Sequence, residues 1–589
     1  MRTRFSVLAI AAAIAFTPVE AFSAPQDDLA TLMDEIWVAA LRESPIFATT
    51  VGVRDYDDQV GDISLAAEDR RAVEAQAFLD RLHSIPEAEL PLASLTDYGI
   101  VERLLSESIE ANGFPQRSML FTTYSGWHQN FAGLASSLPF QTPADFESYL
   151  TRLRQYPTIN DEAIAISTQA VEGGYTLPCA VLDGYETSIS GVIGDDVMQS
   201  RFYEPFTRPR PAAVSEVQFA RFASEARSII TDVLAPEYRH HLDWYTTTYH
   251  PACRQEIGIS SQPGGAEYYA FQIRRMTTTD LTAQQIHQIG LDEAARIRTE
   301  MEAVATEAGF ESREAFIEHL RTDPQYFAET PEELMAATAL QAKQIDGLMP
   351  TMFATLPRLP YGIRAIPDEI AEGTTTAYYS SGSPETGIAG TYYVNTSLLD
   401  QRPLWEIPAL SAHEGVPGHH NQIALQQELD LHPIRRNLAF FTAFTEGWGL
   451  YAERLGIEMG LYDTPAKNMG RLSYEMWRAA RLVVDTGIHA MGWSKERAVA
   501  FMRDNTALSD ANIDAEVNRY ISWPGQALAY KLGELRIRAL RARAEAALGE
   551  RFDVRLFHDA VLGQGSVPLD VLEQQIDVWI AERQAAATN

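Results

Sequence analysis

His413-Glu414-Gly415-Val416-Pro417-Gly418-His419-His420 places three of the chain's 13 histidines within eight residues. A carboxylate directly after the first His matches the start of the His-Glu-x-x-His pattern. There, histidines at i and i+4 share a helix face and hold zinc, while the Glu activates water. Here the i+4 position is Pro417, which offers no ligand atom and disrupts a helix. On a straight helix His419 would sit about 9 Å further along the axis than His413, at about 1.5 Å per residue. Two imidazoles on one zinc need ring nitrogens only a few Å apart. The segment therefore predicts a helix interrupted by a bulge or kink, for which Gly415, Pro417 and Gly418 are suitable residue types. His420 is adjacent to His419 and points about 100° away on a helix, so the two cannot both face one ion comfortably. His419 needs the smaller bulge and is the expected ligand; His420 is a candidate for supporting it.

A hydrolytic zinc site needs a third protein ligand and an open position. Glu446, in Thr445-Glu446-Gly447-Trp448-Gly449-Leu450-Tyr451-Ala452-Glu453, opens an apolar helical segment and supplies that ligand. A solvated first-turn Glu, favoured by the helix dipole, is the alternative. The expected set is thus His413, His419 and Glu446 around one Zn²⁺ per chain, with Glu414 as general base.

Most of the remaining sequence predicts helix. Leu29 to Leu41, Leu65 to Leu82, Val214 to Leu234, Thr282 to Ala308 and Pro331 to Leu348 carry apolar residues at three- and four-residue spacing. Thr330-Pro331-Glu332-Glu333 reads as a capped helix start. Thr374 to Asn395, rich in Thr, Tyr and Val, is the best strand candidate. No repeat or low-complexity linker divides the chain. It reads as a mainly α body with a helical N-terminal region over 25–360 and a catalytic region over 361–589. Arg481, Asp485 and His489 recur every four residues, either as a row around the site or as surface i,i+4 neighbours.

The 589 residues include 80 acidic and 47 basic side chains, for a formal charge of −33. Such a surface repels phosphate backbones and anionic lipid, so nucleic acid is not an expected partner. Neither a Gly-x-Ser-x-Gly elbow nor a phosphate-binding Gly-x-x-x-x-Gly-Lys loop occurs, which argues against a serine hydrolase and an NTPase. Arg2, Arg4 and the apolar run Val7 to Phe16 precede small residues at Val19-Glu20-Ala21 and Phe22-Ser23-Ala24. Residues 1–24 thus read as an export signal, and no later stretch is long enough to span a bilayer. No Cys lies near the cut, which argues against a lipid anchor. The expected location is periplasmic or secreted. The two cysteines, Cys179 and Cys253, are either bridged or two separate buried thiols.

Together these motifs resemble the family known as DUF885, with its His-Glu-x-x-Pro-Gly-His and Glu-Gly-Trp-x-Leu-Tyr-x-Glu patterns. The resemblance runs from about Asp28 to about Trp579 and includes Gly565-Ser566-Val567-Pro568-Leu569. That family looks like a branch of the gluzincin metallopeptidases, whose ligands are two His and one Glu. The resemblance implies a large helical gluzincin-like body with a small β element beside a deep active-site cleft. It implies a zinc peptidase acting on peptide substrates, with a metal-dependent amidase or a non-catalytic peptide-binding protein as alternatives. By the same resemblance, Gly390, Thr391 and Tyr392 lie on an edge strand that pairs with substrate; a structural hairpin is the other reading. Arg519-Tyr520, with Gln526 and Tyr530, resembles the Arg-Tyr segment of angiotensin-converting-enzyme-like peptidases. There a Tyr hydroxyl bonds the oxyanion; Tyr520 is the first candidate for that role and Tyr530 the second.

Overall fold

The computed structural model describes residues 24–586 except 195 and 373. The export signal expected over 1–24 lies outside the described residues, Ala24 apart. The expected helices form as Pro25–Glu43, Leu65–Ser84, Pro331–Met352 and α1 (Ala283–Glu307). Thr330 caps its helix, its hydroxyl accepting from the Glu333 N–H, with Pro331 in the first turn. The Val214 to Leu234 segment starts late, at Glu216, because Ser215 and Gln218 close a capping box, and its last turn widens into a π-helix over Ile230–Leu234.

One small sheet interrupts this helical body. It contains β1 (Tyr361–Ala365), β2 (Ala377–Ser380) and β3 (Gly390–Val394), in the order β1-β3-β2. β3 runs parallel to β1 and antiparallel to β2. Reciprocal backbone bonds between Ser383 and Ile388 close the β2–β3 hairpin. The expectation that Gly390, Thr391 and Tyr392 form a substrate-pairing edge strand is corrected by this order. β3 is central, so both of its edges are already hydrogen-bonded and no backbone remains for strand addition. The hairpin reading is the one the fold bears out.

The region after residue 360 adds α2 (Ile407–Glu414), α3 (His419–Glu428), α4 (Thr442–Leu455), α5 (Pro465–Met491), α6 (Asp510–Ser522) and α7 (Ala529–Leu548). α5 is buried over most of its length. One apolar core joins Phe146, Tyr156, Phe202 and Phe222 to Val483, Val517 and Ile521, so residues from both sides of position 360 share it. A second core, with Phe444, Trp448, Ile537, Phe557 and Ile576, lies under α4 and α7. These two helices meet backbone to backbone. A Cβ on Gly533 would stand 1.9 Å from the Ala443 carbonyl oxygen, and one on Gly447 would stand 2.5 Å from the Gly533 Cα. Only glycine permits that approach, and it sets the depth of Glu446, the residue before Gly447.

Cys179 and Cys253 are bridged, with Cα atoms 5.0 Å apart. Among the described residues no helix is long and apolar enough to cross a membrane. Protein denatured without reductant should therefore titrate no free thiol. Replacing both cysteines by Ser should lower the unfolding midpoint, by up to about 4 kcal/mol of stability in the chain-entropy picture. Two reactive thiols in the untreated protein would contradict the bridge.

Candidate metal centre

α2 ends at Glu414 and α3 starts at His419, and the four residues between leave the helix. The chain folds back so tightly there that a Cβ on Gly418 would stand 1.9 Å from the His413 carbonyl oxygen. The Trp448 indole on α4 holds the break by donating to the Pro417 carbonyl at 2.8 Å. The result is the juxtaposition that a straight helix forbids. The His413 and His419 rings lie 4.6 Å apart, nearly perpendicular at 87°.

Glu446 faces both rings from α4. Its Oε2 lies 3.6 Å from His413 Nε2 and 3.3 Å from His419 Nε2. One donor atom from each of the three residues falls within 4.8 Å of the other two. A second grouping of metal-binding residue types, Asp161, Glu237 and His240, lies at the surface. The His413 ring occupies a slot over Gly449, where a Cβ would stand 2.7 Å from the ring. From that slot its Nδ1 bonds Glu453, two turns along α4 from Glu446, at 2.8 Å. Glu453 is itself buried and paired with Arg478 at 3.3 Å. A carboxylate on the far nitrogen fixes tautomer and ring orientation and leaves Nε2 directed at the centre.

The electrostatics follow from burial. Desolvation disfavours a charge on His413, but the contacts with Glu446 and Glu453 outweigh it and raise the imidazole to about 9. Burial pushes Glu446 up, yet contacts with His413 and His419 hold it well below the usual carboxylate range. Glu446 Oε2 is buried and accepts no hydrogen bond. Two imidazoles and such an oxygen converging on one point fit a divalent cation with nitrogen and oxygen ligands.

Glu414 ends α2, is only 7% exposed, and has no hydrogen bond to its carboxylate among the described residues. Its charge is felt by His413 and by Tyr392. His420 stands apart from the trio. Its Nδ1 accepts from the Tyr379 hydroxyl at 3.0 Å and its Nε2 donates to the Leu359 carbonyl at 2.9 Å, and burial lowers it to about 4. With both nitrogens engaged, it ties α3 to the sheet. Gly390 packs against the same Tyr379–His420 pair, Thr391 pairs with Gly362 and Ser380 within the sheet, and the Tyr392 side chain is fully buried.

The two candidate tyrosines differ sharply. The Tyr530 ring stacks 6.3 Å from His413, and its hydroxyl accepts from Gln526 at 3.2 Å. The Tyr520 hydroxyl accepts from Trp477 at 2.8 Å and from Arg481 at 2.9 Å, and among the described residues its hydrogen bonds and ring contacts do not reach the trio. Arg481, Asp485 and His489 are all buried, so they are not a surface row. Asp485 accepts from Tyr269, and His489 is held by Ile259 and Tyr520 backbone groups. Sequence reasoning missed Glu453 as a partner of His413. The signal was its i+7 spacing from Glu446, which returns to nearly the same helix face.

The match to known proteins covers most of the chain. Residues 45–576 match the model of a bacterial protein family of unknown function, DUF885. The chain belongs to that family. No curated protein matches it. Among solved structures, a candidate lipoprotein from Colwellia psychrerythraea is similar at 27% identity and a TM-score of 0.88, covering 95% of this chain and all of the other. A candidate lipoprotein of unknown function from Shewanella oneidensis has 19% identity and a TM-score of 0.68, covering 93% and 99%, and shares the fold.

Two outcomes follow from this geometry. His419→Ala should abolish zinc uptake, whereas His420→Ala should retain most of it; metal content of the two purified variants distinguishes them, and the reverse pattern would contradict the geometry. The raised His413 value also carries a sign. In metal-free protein its stabilising contribution is complete below about 6.5, the unperturbed value, and is lost as pH rises toward and through about 9. Metal-free protein should lose thermal stability over that window. A divalent cation held by these residues would take the place of the proton, so protein that has taken one up should not.

Proposed function

We propose that this DUF885 member is an exported zinc-dependent peptidase in which His413, His419 and Glu446 hold one zinc ion. The observation that carries the reading is the convergence, within 4.8 Å, of two imidazoles and a buried carboxylate oxygen that accepts no hydrogen bond among the described residues. Two His and one carboxylate form the ligand set of hydrolytic zinc, with a position left for water or substrate. Zinc held there supplies Lewis acidity toward a carbonyl oxygen and makes an adjacent water easier to deprotonate.

The chain's own residues do the rest. Glu414 takes the proton of the attacking water, and the absence of a hydrogen bond to its carboxylate among the described residues favours that role. Water adds its hydroxyl to the carbonyl carbon, the C–N bond breaks, and Glu414 returns the proton to the leaving nitrogen. Tyr530 is the better placed of the two tyrosines for the developing oxyanion. It lies beside His413 and accepts from Gln526, which leaves its own O–H free to donate. Glu453 and Arg478 orient His413. Export is supported by the signal-like residues 1–24, by the Cys179–Cys253 bridge and by the description of the Colwellia relative as a candidate lipoprotein.

Glu414→Gln should keep its zinc and lose hydrolysis of a mixed peptide library, read by mass spectrometry with a chelator control. Tyr530→Phe should lower kcat by about 10²–10³, the usual cost of one oxyanion donor, while Tyr520→Phe should have a smaller effect. Full activity in Glu414→Gln would remove Glu414 from the chemistry. A native protein that holds zinc but cleaves no peptide would overturn the peptidase reading.

A further inference from the structure

Three guanidinium groups surround Tyr530. Arg478, Arg481 and Arg519 stand 5.9, 4.1 and 5.9 Å from its ring centroid, and all three side chains are buried. Because that ring stacks on His413, the Arg481 guanidinium lies within about 10 Å of the His413 imidazole.

The counter-charges do not balance. Arg478 is paired with Glu453, which also serves His413. Arg481 and Arg519 share one carboxylate through a single oxygen, each donating from Nη2 to Glu516 Oε2, at 2.8 and 2.9 Å. Among the described residues neither has another ion-pair partner. Asp485, one turn along α5 from Arg481, is held instead by the Tyr269 hydroxyl and the Gly525 N–H. Two buried guanidiniums on one carboxylate leave a positive charge unmatched, and an unmatched buried charge is costly. Donors are also spare: Arg481 Nη1 and Arg519 Nε are buried with no hydrogen-bond partner. A guanidinium fork suits a planar carboxylate better than any other common anion of a peptide.

We infer that Arg481, backed by Arg519, receives the C-terminal carboxylate of the substrate, so that the protein removes residues from the C-terminal end of peptides. The inference rests on the hydrolytic reading of the His413–His419–Glu446 centre. An extended chain advances at most ~3.3–3.6 Å per residue. With Arg481 no more than about 10 Å from His413, the stretch between the cleaved bond and the carboxylate is limited to about two residues at most. Arg481 acts here as a substrate-binding residue and Glu516 positions it.

The test uses zinc-loaded Glu414→Gln protein, which binds without turnover. It is titrated calorimetrically with N-acetylated pentapeptides of mixed sequence, once as free acids and once as the same peptides amidated at the C-terminus. The acids should bind about tenfold or more tightly. Arg481→Gln, added to that background, should bring the ratio close to one; it leaves Arg519 and Glu516 balanced, so the fold has no new unpaired charge. Equal affinity of acids and amides before that change, or binding of neither, would overturn the inference. In native protein, mass spectrometry should show loss of one or two C-terminal residues from the acids. Equal cleavage of acids and amides at internal bonds would leave the peptidase reading intact and overturn this one. An acid preference in binding with no cleavage by native protein would overturn the peptidase reading and, with it, the removal of C-terminal residues, leaving only a carboxylate-binding role for Arg481.

Discussion

The His413 imidazole, wedged against α4 between Glu446 and Glu453, is the contact on which the site depends. Gly449 leaves the slot it fills, Glu453 holds its far nitrogen, and Glu446 meets its near one. Everything around it serves that insertion. α4 can press this deep only because Gly447 meets Gly533 without side chains between them. His419 can reach the same point only because the helix stops after Glu414 and resumes at His419, with Gly418 against the His413 carbonyl. A methyl group at Gly449 would strike the His413 ring itself, 2.8 Å from Nε2, whereas one at Gly418 would disturb the candidate centre through the His413 backbone, without touching a donor atom of the trio.

The interior of this acidic chain holds many buried cations, and three of them, Arg471, Arg478 and Arg481, lie along one helix. α5 carries Arg471, Glu475, Arg478, Arg481, Asp485 and His489 at three- and four-residue spacing, all buried. Towards its N-terminal end, Glu475 gathers Lys531, Arg296 and Arg471 into a network in which Lys531 is also bonded to Glu293 and Glu534. In its middle, Arg478 supports Glu453 and hence His413, while Arg481 reaches Tyr520 and Glu516. Buried pairs of this kind add little net stability but are severely destabilising when one partner is lost. They fix positions, which is what a site of several converging side chains requires.

How far the sequence reveals this differs from element to element. His413, His419 and Glu446 were legible because their residue types have few other uses in such proximity, and because Pro417 and Gly418 announce the break. The long helices were legible from apolar spacing and from caps such as Thr330. The place of β3 in the sheet was not, since it depends on pairing with Tyr361–Ala365, about thirty residues earlier, where local pattern barely marks a strand. The choice between Tyr520 and Tyr530 was also hidden. Between them α6 ends at Ser522 and the chain turns before α7, and no local signal states which ring that turn carries to His413. The charged stripe of α5 is ambiguous in the sequence, where Arg481, Asp485 and His489 read equally as a row around the site or as surface i,i+4 neighbours. It is buried because partners for it arrive from α1, α4, α6 and α7, and only the assembled fold supplies them.

Metal content is the most direct measure of the central claim. Elemental analysis of the purified native protein, beside Glu446→Gln prepared in the same way, should find one zinc per chain in the first and a large loss in the second. A native protein that contains no zinc and takes none up, or a Glu446→Gln variant that keeps its full complement, would contradict the account.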